Sequence, residues 1–131
     1  ETIAEERLEA ALGLFLNNCK FGLRGPLEVL SRKAVEAWRT GRDRCTSYFD
    51  KLCGAKTCLW SDDTFTEHCL RSVLQVPQLL EPALLVDEHC EPPADWRSCR
   101  NGKVAAFHSF STAEDFDKCE ASSRKVESFR W

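Results

Sequence analysis

With 131 residues and a formal net charge of −3, the chain has the length of one domain, and residues 1–131 are expected to form a single cysteine-rich helical domain. At 43% hydrophobic and 30% charged residues, its composition is neither that of a disordered chain nor that of a membrane protein. The most apolar run, Ala10 to Leu16, is too short to cross a bilayer, so no transmembrane segment is expected.

Fifteen Leu against seven Val and one Ile put unbranched apolar residues well ahead of β-branched ones, which favours helix over strand. Thr2 with Glu5 reads as a capping box, and Leu8, Leu12, Phe15 and Cys19 recur at helical spacing, predicting a first helix from Thr2 to Asn18. Pro26 suits the first turn of a second helix, with Leu27, Leu30, Ala34 and Trp38 on one face and an end near Thr40-Gly41. A third runs from Asp43 to Leu52 and meets Gly54. Ser61 caps a fourth, whose Phe65, Cys69, Val73 and Val76 face one way until Pro77. Pro82 to His89 reads as a short helix, Asp95 to Arg100 as one further turn, and Asn101-Gly102 as a turn without flanking strands. Ser111 with Glu114 opens a last helix through Phe116, Cys119, Ser123 and Val126. The predicted fold is all-α, a disulfide-stapled bundle of four main helices with short extra helical turns.

Eight cysteines, Cys19, Cys45, Cys53, Cys58, Cys69, Cys90, Cys99 and Cys119, are dispersed along the chain, and no Cys-x2-Cys pair points to zinc. Four disulfides are the expectation, and with them a secreted, extracellular setting. A chain without methionine that opens on Glu1 with no apolar leader is also what remains when an N-terminal segment has been removed, by a signal peptidase or by truncation. Cys45 and Cys53 stand eight residues apart, about 12 Å along a helix, so they are expected to bond to different partners. Cys90 and Cys99 flank Pro92-Pro93 and are candidates to close a small loop together.

Catalytic signatures are missing from the sequence. There is no Gly-x-Ser-x-Gly, no His-Glu-x-x-His, no phosphate-binding glycine loop and no calcium loop, and the Cys-Cys-x-x-His-Asp run of phospholipases A2 has no counterpart at His68-Cys69. No enzymatic activity, cofactor or metal is therefore expected. His68 and His89, each between a glutamate and a cysteine, become a pH-sensitive pair or a metal site only if the fold unites them; His108 reads as a spacer between aromatic residues. Asp62-Asp63 reads as compensation of a helix dipole.

Charge is unevenly distributed. From Ser31 to Cys58 seven basic residues face three acidic ones, and from Leu59 to Asp95 one basic residue faces eight acidic. Arg39, Arg42 and Arg44 in the basic block are candidate contacts for an acidic protein, a sulfated glycan or an anionic surface; the acidic block argues against nucleic acid. Trp60, Trp96 and the terminal Trp131 are candidate contact residues, Trp38 a core residue. Cys53-Gly54-Ala55, Cys58-Leu59 and Cys69 resemble the style of secreted cysteine-rich helical proteins such as stanniocalcins; the other cysteine spacings depart from theirs, and no family is assigned. Together these features predict an extracellular domain that recognises another macromolecule, an extracellular protein above all. The alternative is a secreted helical carrier of a small hydrophobic ligand, for which the Leu and Phe content argues, although the cysteine spacing is not that of insect odorant-binding proteins.

Overall fold

A computed structural model describes residues 3–54 and 60–126, the side chain of Leu8 excepted. In chain order the elements are α1 (Ile3–Leu12), β1 (Phe15–Asn17), β2 (Val29–Leu30), α2 (Arg32–Cys53), α3 (Asp62–His68) running into a π-helical turn (Cys69–Val73), β3 (Gln78–Leu80), β4 (Leu85–Asp87), a 3-10 turn (Trp96–Ser98), β5 (Ala106–His108) and α4 (Ala113–Ser123). The chain is thus not an all-α bundle: among the described residues, four helices combine with a three-stranded sheet of order β2-β1-β3 and a two-stranded sheet, β4-β5.

The first departure from helix lies at Gly13. Its φ of +79° ends α1, and a Cβ there would stand 2.3 Å from Ser31 Oγ and 2.7 Å from Ala34 N, so only glycine lets the chain pass the start of α2. Leu14 N–H then donates to Ser31 Oγ and Ser31 N–H to Leu14 O. Beyond this crossing Phe15 and Asn17 are buried and Leu16 half-buried, the alternation of a strand. β1 pairs antiparallel with β2 (Phe15↔Leu30) and parallel with β3 (Phe15↔Gln78, Asn17↔Leu80).

No helix opens at Pro26, because Asn18, 1% exposed, captures the local backbone. Its Nδ2 donates to the carbonyls of Arg24 and Leu27, and its Oδ1 accepts from Arg24 N–H, giving these groups partners that a helix would have supplied. The helix starts instead at Ser31, whose Oγ accepts from Ala34 N–H.

It then runs unbroken to Cys53, through Gly41, merging the two helices expected here. Ala34, Gly41, Cys45 and Phe49 form its buried stripe. Gly41 acts as a contact point and not as a stop: a Cβ would lie 2.3 Å from Leu74 Cδ2. Leu74 follows the π-helical turn, which the Cys45–Cys69 disulfide ties to α2 at a Cα separation of 5.2 Å. The core is built here from Phe15, Ala34, Cys45, Phe49, Cys69, Leu70, Leu74 and Val76, with Trp38, Trp60 and Phe65 against its edge.

The segment from Pro82 to His89 is also not a helix. Glu81 turns the chain, its side chain accepting from Ala83 N–H and its carbonyl from Leu84 N–H, and Leu85 and Asp87 are buried on either side of Val86 as a strand. β4 pairs in parallel with β5, Asp87 opposite His108. The cap of α4 lies one residue beyond Ser111: Thr112 Oγ1 accepts from Asp115 N–H.

Two further bridges join Cys19 to Cys90 and Cys99 to Cys119. Cys90 and Cys99 therefore do not close a loop with each other, since β4 carries Cys90 towards the end of β1 while the 3-10 turn delivers Cys99 to α4. Cys45 and Cys53 sit in one continuous helix, and Cys45 bonds to Cys69. None of the described cysteines is free. Cys58 and Trp131 lie outside the described residues.

Candidate functional site

A groove of about 870 Å³ with a largely apolar wall runs beside α4. Phe116 and Cys119 of α4 form one wall, Ala106 and Phe107 of β5 with Phe110 the other, and Leu84 and Leu16 extend it towards the three-stranded sheet. It exists because α4 has no buried residue of its own and is fastened through the Cys99–Cys119 bridge, so its apolar side faces space instead of core. Phe116 is 57% exposed. The loop that closes one end is shaped by Asn101, whose Oδ1 accepts from Lys103 N–H and whose carbonyl accepts from Val104 N–H. Lys103, Glu81 and Glu120 are the charged lining residues; Glu120 is paired with Arg124, which leaves Lys103 balanced by Glu81.

Beside the groove, at the end of the β4-β5 sheet, Asp87 gathers two histidines. Its carboxylate is 1% exposed. Oδ1 accepts from His89 N–H at 2.8 Å and faces His89 Nδ1 at 3.0 Å, and Oδ2 faces His108 Nδ1 at 2.7 Å. A carboxylate can only accept, so both rings carry their proton on Nδ1, and in the neutral form each turns an Nε2 lone pair outward. Burial pushes the Asp87 carboxyl up, but the His89 amide and the two imidazoles outweigh it and hold the group below the usual aspartate range. Glu88, on the same edge, accepts from Ser109 Oγ at 2.7 Å and from Arg97 at 3.3 Å, and Arg97 stacks over Trp96 and Phe110.

The sequence named His89 and His108 but not the carboxylate between them. His89 meets His108, not His68, which packs edge-on against Trp60 at 4.7 Å between centroids. Asp87 ends β4 and His89 lies in the turn that follows, where the carboxylate accepts from the amide and meets the ring two residues on, a signal invisible while the segment is read as helix. Among the described residues no group of three His, Cys, Asp or Glu could hold a metal ion.

The five candidate contact residues that fall among the described residues do not form one patch. Trp60 is half-buried in an aromatic cluster with Phe49 and His68, and Trp96 is half-buried in the Arg97 stack. Arg39, Arg42 and Arg44 are all exposed on α2, but Arg44 points about 160° around the helix from Arg42 and reaches the carbonyl of Val73. A second concavity of about 530 Å³ is polar, lined by Asn17, Lys20, Phe21, Glu67, Arg71 and Gln78 among others. No described helix is long and apolar enough to cross a membrane. The chain matches no family model, no curated protein and no solved structure.

Proposed function

We propose that the chain is an extracellular binding domain and that the groove beside α4 is its ligand site, taking a small, uncharged lipophilic molecule. The groove carries this reading: ligand sites are commonly apolar concavities of about 300–1,000 Å³ with a few polar groups, and this one fits at about 870 Å³. Its charge balance between Lys103 and Glu81 favours a ligand without net charge. Disulfide bridges, and the absence of a described membrane-spanning helix, accord with an extracellular setting. Binding is favoured over catalysis because the Asp87–His108 pair, the base-and-orienter half of a nucleophilic triad, has no described nucleophile; Ser109, the next residue, is engaged by Glu88.

The test is titration with N-phenyl-1-naphthylamine, an uncharged fluorescent lipophile. Saturable binding at one site in the micromolar range is expected, abolished by Ala106→Trp, which fills the groove, and kept by Val35→Trp on the exposed face of α2. Absence of saturable binding, or equal binding by the Ala106→Trp protein, refutes the reading.

A further inference from the structure

β3 stands at the edge of its sheet, and its outer side is open. On the inner side, Phe15 N–H donates to Pro77 O and Glu81 N–H to Asn17 O, so residues 77, 79 and 81 turn their backbone towards β1. Gln78 and Leu80 then turn their N–H and C=O groups outward, as the parallel ladder requires, and no described hydrogen bond engages them. All three residues are exposed, Leu79 at 53% and Leu80 at 51%. Among the described residues, no bulge or proline interrupts β3, although these are usual protections of an unpaired strand.

The polar concavity opens next to this edge. Gln78 and Leu80 line it from β3, Asn17 from β1, Glu67 and Arg71 from the helical segment, and Lys20 with Phe21 from the loop after β1. Glu67, 7% exposed, already accepts from Leu23 N–H through Oε2, while its Oε1 lies 3.9 Å from Arg71 Nε. The two Nη groups of Arg71 have no described partner, so the fork of the guanidinium is left for a second carboxylate.

We propose that β3 is the docking edge for an extended, acidic segment of a partner protein, which adds as a strand and places a carboxylate side chain in the Arg71 pocket. Backbone hydrogen bonds to Gln78 and Leu80 supply affinity, and alternate side chains of the added strand project to the face of the pocket, where charge selects the acidic one. Lys20 is paired with Glu91, so the guanidinium fork of Arg71 is the charge that selects the partner, and a second copy of the chain is the competing occupant that the experiment separates. This surface is separate from the α4 groove and stands or falls without it.

The experiment uses a blocked seven-residue peptide of alternating threonine and valine with one central glutamate, titrated into the full chain and followed by backbone amide NMR. Downfield shifts and slowed exchange are expected at Gln78 and Leu80, with binding at least tenfold weaker when the glutamate is replaced by lysine and lost when the alternate amides facing β3 are N-methylated. Arg71→Ala should leave the shifts but remove the glutamate-over-lysine preference. The proposal is overturned if the two amides do not respond, if the N-methylated peptide binds equally, or if their exchange slows with protein concentration alone, which would make the edge a contact between copies.

Discussion

Gly41→Ala tests the packing that orders the core. In an open helix this substitution stabilises by about 1 kcal/mol, because alanine restricts the unfolded backbone and suits the helix. Here the new Cβ falls 2.3 Å from Leu74 Cδ2, 3.1 Å from Cδ1 and 3.3 Å from Cγ, against a comfortable carbon–carbon separation of about 3.5–4.0 Å. Leu74 is only 8% exposed, so it has little room to turn away. Nor can the elements splay, since the Cys45–Cys69 bridge, four residues along α2, holds them together. Overpacking of this kind costs about 1–3 kcal/mol, so the net effect expected after the helix gain is a loss of about 1 kcal/mol, read as a lower urea midpoint at unchanged slope. In a Leu74→Ala background, itself destabilised by about 2–4 kcal/mol, the same alanine should become stabilising by about 1 kcal/mol. The double-mutant cycle isolates the contact as a coupling of about 2 kcal/mol. A Gly41→Ala protein more stable than the parent, or an equal effect in both backgrounds, would refute the account of Gly41 as a contact point.

Asp87 makes the β4-β5 junction acid-sensitive. Its carboxyl is held below the range it has in an unfolded chain, so its contribution is complete above that range and is lost as pH falls through the lower folded value; stability measured against pH should decline more steeply there in the parent than in Asp87→Asn. Glu28 has the opposite sign: burial first, then Asp63 and Asp62, raise its pKa, so Glu28→Gln should gain stability at neutral pH relative to the parent and lose that advantage in acid. Replacing both Cys99 and Cys119 by serine opens a bridge spanning 20 residues, with an expected loss of about 3 kcal/mol. Because α4 buries no residue, its amides should then exchange fast while those around Phe49 and Leu70 stay protected; equal protection of both would show that α4 docks without the bridge. Alkylation without reductant should leave Cys19, Cys45, Cys69, Cys90, Cys99 and Cys119 unlabelled, and labelling of folded protein at these positions would remove the physical basis of the extracellular reading.

What the residue order determined alone is local. Eight dispersed cysteines without zinc spacing imply bridging, and the start near Ser111 follows from capping chemistry within three or four residues; α3 also begins after Ser61, whose hydroxyl turns to the Asp63 and Thr64 side chains and caps no backbone N–H. The apolar stripe of α2 is legible in the same way, because a helix closes its hydrogen bonds on itself. Strands do not. β1 has only three residues, and its partners lie at Val29–Leu30 and Gln78–Leu80; β4 meets β5 about twenty residues on, so neither is marked by its own pattern. The sequence places Gly13 inside a helix and Gly41 at the end of one, whereas Gly13 ends α1 against Ser31 and Gly41 receives Leu74 within α2. Asn18, Asp87 and the groove beside α4 belong to the same class. Each depends on which distant backbone or side chain arrives opposite, and that is decided by packing the whole chain.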